Sequence, residues 1–151
     1  MSVTHSFVSA KTDGGDATLV KPSDWNAAHV VELIKTITAI IDGGGSAITT
    51  GIKGDLEIPF DCTIQQVTML ADQTGSIVVD IWKDTYTNFP PVDADSITAS
   101  APPTISSATK SQNNTLTGWT TAITAGNILR FNVDSCTSIT RACISIQVLT
   151  T

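Results

Sequence analysis

Ser76-Ile77-Val78-Val79-Asp80-Ile81-Trp82-Lys83 is the stretch whose reading decides the fold. Ile77, Val79 and Ile81 occupy one side of a period-two pattern, and Val78, Asp80 and Trp82 the other. Alternation of this kind, rich in β-branched residues, predicts a strand with one face on a core. The pattern recurs downstream. Asn127 to Asp134 turns Leu129, Phe131 and Val133 inward and Arg130 and Asn132 outward. The closing strand, Thr137 to Thr150, gathers Ala142, Ile144, Ile146 and Val148 on one face.

Upstream, Thr63 to Ala71 alternates as well, with a slip at Gln65-Gln66 that predicts a bulge. Asp72-Gln73-Thr74-Gly75 reads as the turn between that strand and the next. Leu56 to Phe60 is short and contains Pro59, the mark of a strand end or an edge. Gly51 to Asp55 predicts a turn before it, and a short strand is expected near Ala47 to Thr50. Leu33, Ile37, Ala39 and Ile41 begin the period-two region. Asp84 to Asn114, with Pro90, Pro91, Pro102 and Pro103, reads as a long irregular region with short strands at Ile97 and Ile105. Thr115 to Thr120 reads as a strand carrying Trp119. About eight strands joined by Gly and Asn turns predict an all-β, antiparallel β-sandwich of jelly-roll type over residues 32–151.

Residues 1–31 read differently, as an extended N-terminal arm. Asp13-Gly14-Gly15-Asp16 is turn chemistry. Ser23 stands where an N-cap would sit, with Asp24 in the first turn of a short helix running to about Val31. So short a helix must be held by packing, and Trp25 is its anchor, toward a partner or toward the β region.

Composition narrows the function. Ser and Thr make up about a quarter of the chain, which suits half-solvated pleated surfaces. The net charge of -6 repels phosphate, so nucleic acid is not an expected partner. The longest apolar run is too short to span a bilayer, and the first residues lack the basic start and apolar core of a signal peptide. Synthesis in a cytosol is the expectation. Cys136 and Cys143 lie about 23 Å apart along one strand at about 3.3 Å per residue. A disulfide needs Cα atoms within about 7 Å. Cys62, Cys136 and Cys143 are therefore free thiols or links between subunits.

No catalytic constellation emerges. His5 and His29 stand apart from any Cys or carboxylate cluster, so no metal or cofactor is expected. Glu32 and Glu57 are the only glutamates, and the paired carboxylates of a glycosidase are not apparent. Asp93 and Asp95 lack the spacing of an EF-hand. Gly43-Gly44-Gly45-Ser46 does not continue into a phosphate loop. The chain is read as no enzyme. Tyr86, Phe89 and Trp119 fall on or beside the long loop, where aromatics either stack on sugar rings or complete a core.

His5-Ser6-Phe7-Val8-Ser9 together with Asp13-Gly14-Gly15-Asp16-Ala17-Thr18-Leu19-Val20-Lys21-Pro22-Ser23-Asp24-Trp25-Asn26-Ala27-Ala28-His29 resembles the N-terminal segment of tailed-bacteriophage structural proteins of the capsid-decoration, head-fibre and tail-fibre kind. Gly51 to Phe60, Ser76 to Lys83 and Ile123 to Phe131 are similar to the β domain that accompanies it. The resemblance implies a homotrimeric virion component, made in the host cytoplasm and displayed on the virion surface. It implies docking on the major capsid protein or another virion protein, with Phe7, Leu19, Trp25 and His29 as the docking residues. About 30 residues lead straight into the β region with no shaft between, which favours a capsid decoration or cement protein, or a short head fibre. The alternative is a tail-fibre receptor-binding or carbohydrate-binding module that meets a host surface glycan through Tyr86, Phe89 and Trp119.

Overall fold

The computed structural model describes residues 2–3, 8–27, 29–30 and 33–150, the pairs 2–3 and 29–30 through their backbone. Contacts divide the chain into two compact units, one reaching Leu33 and the other Ile34–Thr150.

In the first unit β1 (Ser2–Val3) pairs antiparallel with β2 (His29–Val30). Between them lies α1, Pro22–Asn26. This helix is shorter than the sequence predicts, and Ser23 is not its cap. Pro22 takes the first helical position, where its fixed φ fits and its missing N–H costs nothing. The cap therefore falls on Lys21, whose backbone N–H donates to Asp24 Oδ2 at 3.0 Å.

The second unit is mostly antiparallel β. Its strands are β3 (Leu33–Asp42), β4 (Gly51–Ile58), β5 (Cys62–Thr85), β6 (Thr104–Asn113), β7 (Ala122–Ile123), β8 (Asn127–Thr137) and β9 (Arg141–Thr150). They form one seven-stranded sheet in the order β3-β9-β5-β8-β4, with β6 and β7 also on β5.

The organising element is β5, which continues for 24 residues through the expected turn at Asp72 to Gly75. Met69 pairs with Ile144 of β9 on one edge and Ser111 of β6 on the other; Ile77 pairs with Cys136 of β8 and Ile105 of β6. β8 and β9 thus follow one another along the same edge of β5. Register shifts between Leu70 and Ile77 mark the place where the two halves of β5 meet. Gly75 is needed there for close approach. A Cβ on it would lie 2.4 Å from the Thr137 carbonyl oxygen and 2.8 Å from Ile139 Cγ1. The bulge expected at Gln65-Gln66 is present, as a register shift between Ile64 and Gln66.

Both halves of β5 line one core. Ile64, Val67 and Met69 from the first half join Ile77, Val79 and Ile81 from the second. Ile144, Ile146 and Val148 of β9, Leu129, Phe131 and Val133 of β8, and Ile37 and Ile41 of β3 complete it.

Three other expectations are corrected. The glycines at 51 and 54 do not turn the chain: β4 starts at Gly51 and carries a register irregularity between Ile52 and Gly54, where missing side chains ease the kink. Thr115 to Thr120 is a loop, not a strand, with Leu116 and Gly118 at positive φ. Asp80 and Trp82 are buried although their face reads as outward. The chain from Asp84 onward returns over that face, through two 3-10 turns at Tyr86–Asn88 and Asp93–Asp95, and Ser96 bridges Trp82.

Candidate docking surfaces

Polar groups hold the N-terminal segment in shape. Asp13 accepts from the Ser23 amide at 3.0 Å and from its hydroxyl at 2.5 Å. Asn26 Oδ1 accepts from the Ser9 amide at 2.8 Å, and Asn26 Nδ2 returns a bond to the Ser9 carbonyl at 3.0 Å. Asp16 accepts from the amide and hydroxyl of Thr18. These bonds hold Asp13 and Asp16 below the usual aspartate range, through Ser23 and Thr18 respectively. Among the described residues of the segment, the large apolar side chains face outward: Val8, Leu19 and Trp25 are exposed, and Val20 is 82 % exposed. Of the four expected docking residues, Leu19 and Trp25 thus lie on the surface of this unit. Phe7 lies outside the described residues, as does the side chain of His29.

A second surface forms where the loop after β5 folds back. Phe89 follows the first 3-10 turn, and its amide donates to the Tyr86 carbonyl at 3.3 Å. Both rings are open to solvent, Tyr86 78 % and Phe89 49 % exposed. Arg130 of β8 lies 5.3 Å from the Phe89 ring centroid, a cation–π distance. Its guanidinium donates twice to Asp55 of β4, at 2.6 and 2.9 Å, and once to the Pro91 carbonyl at 3.2 Å. Phe89 therefore stands beside the Asp55–Arg130 ion pair, with Tyr86 exposed at the start of the same turn.

Trp119 is not part of that surface. It is buried in the core, and its indole N–H donates to the Ala101 carbonyl at 3.0 Å. A sugar contact at Trp119 is therefore corrected to a core role; the loop geometry around Leu116 and Gly118 turns the ring inward.

Beneath the loop, Asp80 is an internal acceptor. Oδ1 receives the Ile81 amide, the Ser96 hydroxyl and the Thr98 hydroxyl at 2.7, 2.8 and 2.5 Å, and Oδ2 receives Trp82 Nε1 at 2.8 Å. Nearby, Asp134 stands exposed on β8; desolvation raises its carboxyl against the bond donated by Asn132, which lowers it, and the charges of Asp80 and Asp93 add to the rise. Among the described residues, no group of three His, Cys, Asp or Glu is placed to hold a metal ion.

The thiols differ from one another. Cys62 is buried in the core and cannot reach another subunit; burial first, then the charge of Asp61, pushes its thiol up. Cys136 is half-buried, with its thiol toward the Ile139 carbonyl at 3.5 Å. Cys143 is half-buried on the outward face of β9.

One surface escapes the sequence reading. Ile40 of β3 and Leu70 of β5 are 68 % and 48 % exposed and share a depression of about 410 Å³ with Cys143. Strand periodicity assigns each an outward position without revealing that three strands bring them together. Comparison with protein-family models, with curated proteins and with solved structures finds no match to this chain.

Proposed function

We propose that this chain is a non-enzymatic structural protein of a tailed-bacteriophage virion. It is a capsid decoration or cement protein, or a short head fibre. Residues 1–31 dock on the major capsid protein or a neighbouring virion protein, and a trimeric β unit of jelly-roll type is displayed on the particle surface. The observation that carries the reading is the run of exposed apolar side chains among the described residues of the N-terminal unit. Its polar groups satisfy one another while Leu19, Val20 and Trp25 face out. Water penalises exposed aliphatic and indole surface, and burial against a partner removes that penalty. The long β5, with both halves on one core, supports a sandwich of jelly-roll type. Three copies on one particle would multiply a modest docking contact.

Cosedimentation with particles that lack this protein tests the reading. Deleting residues 1–30 is expected to abolish binding, and Leu19→Asp with Val20→Asp to weaken it at least about tenfold, equivalent to about 1.4 kcal/mol. Undiminished binding by the truncated chain would sink the docking role.

A specific observation also favours host-glycan recognition. Tyr86 and Phe89 are exposed on one turn, and Phe89 lies against Arg130 of the Asp55–Arg130 pair, an aromatic surface next to hydrogen-bonding groups. Tyr86→Ala and Phe89→Ala are then expected to remove binding to host surface polysaccharide without unfolding the protein. A polysaccharide panel with no binder overturns this second reading.

A further inference from the structure

We propose that the outward face of β3, β9 and β5 is the surface through which copies of this chain meet one another. The inference rests on the oligomeric part of the function above and assigns the contact. Leu70 lies directly opposite Cys143 of β9 on one edge and Lys110 of β6 on the other. The depression holding Ile40, Leu70 and Cys143 adjoins, at Leu70, a second of about 460 Å³ bordered by Thr68, Lys110 and Gln112. Away from these residues the face carries Thr36 and Thr38 of β3, and Ser145 and Gln147 of β9. Such a solvent-facing sheet surface ordinarily alternates apolar-in with charged-out. Here charge is confined to Asp42, Asp72, Arg141 and Lys110, and uncharged outer positions with the exposed aliphatics Ile34, Ile40 and Leu70 lie among them, as at the centre of a protein interface.

Charge identifies the occupant as another copy. The chain carries a net charge of -6, so copies repel one another unless the contact supplies local compensation. This face carries both signs in equal number, Arg141 and Lys110 with Asp42 and Asp72. Arg141 lies in the depression with Asp42 and Asp72, yet the only salt bridge among the described residues joins Arg130 to Asp55. Asp72 is held ionised by the Thr140 hydroxyl and by the Thr140 and Arg141 amides, which keep its carboxyl below the ordinary range. The patch thus carries both members of the ion pair it needs, separated within one chain. Around a symmetry axis the same residues return from the neighbour, so Arg141 of one copy meets Asp42 of the next.

The test is the mass in solution, by light scattering on a sizing column from low to high micromolar protein. The wild-type chain is expected to run as an oligomer. Leu70→Glu and Ile40→Glu are expected to reduce it to a monomer, while Val92→Glu, an exposed aliphatic elsewhere, is expected to leave it intact. Circular dichroism confirms that each variant is folded. Arg141→Glu is expected to weaken association at least tenfold, about 1.4 kcal/mol, and adding Asp42→Lys to recover it. With Cys136→Ser as background, maleimide should modify Cys143 more slowly as wild-type concentration rises, and at a constant rate in Leu70→Glu. A wild-type monomer at every concentration, or an oligomer that survives both face variants, overturns the inference. Docking to particles is read separately through the 1–30 deletion, so either idea can fail alone.

Discussion

Asp80 occupies a position that alternation assigns to solvent, yet it is buried with four donors directed at its two oxygens. The carboxylate holds the returning chain, Ser96 and Thr98, against β5 and fixes the ring of Trp82. Asp80→Ala removes the acceptor and leaves an indole N–H and two hydroxyls to find others. Unpaired buried donors cost about 1–3 kcal/mol each, and some will re-pair, so a loss of about 2–4 kcal/mol is expected in urea unfolding. Asp134 behaves in the opposite sense. Its raised carboxyl means that the folded state binds a proton more readily than the unfolded chain. Between the ordinary aspartate pKa and the raised one, stability falls as pH rises. Asp134→Asn is therefore expected to raise the thermal midpoint at pH 7 and to leave it unchanged at pH 3, where both states are protonated. An equal rise at both pH values would exclude a charge effect.

At the scale of elements, β5 carries the sheet because the chain crosses residues 71–75 without reversing. The composition there, Asp72-Gln73-Thr74-Gly75, is that of a turn. Instead, Asp72 accepts bonds from the Thr140 hydroxyl and from the Thr140 and Arg141 amides, joining this part of β5 to the link between β8 and β9. Gly75 passes where no Cβ fits against Thr137 and Ile139. Gly75→Ala must push that backbone away, and overpacking of this kind costs about 1–3 kcal/mol. A lowered urea midpoint with an unchanged slope would show lost stability in an intact fold. No loss at all would mean that the two segments are not in contact. In the N-terminal unit, the five residues of α1 cannot persist by propensity. The crossed bonds of Asp13 with Ser23 and Ser9 with Asn26 help to hold it.

For the whole molecule, the two units follow different physics. The β unit is held by a continuous aliphatic core, whereas the described residues of the N-terminal unit are joined by polar bonds, with Val8, Leu19, Val20 and Trp25 exposed. Removing residues 1–33 is therefore expected to leave the urea midpoint of the β unit within experimental error of the full chain. A large drop would show that the β unit depends on the removed residues. Sequence by itself determined the strand-rich class, the inward sets of β5, β8 and β9, the bulge at Gln65-Gln66 and the start of β3 at Leu33, because period-two alternation is a local property. It also singled out Tyr86 and Phe89. Only tertiary structure decided the rest. β6 is a ten-residue strand of largely polar sequence, formed because the backbone of β5 offers it an unpaired edge. Trp119 is core and Asp80 interior because the chain after β5 folds back over a face that alternation marks as outer. Ile40, Leu70 and Cys143 meet because β3, β9 and β5 lie side by side. Pairing partners and loop cover join residues far apart in the chain, and alternation specifies a face without specifying what lies against it.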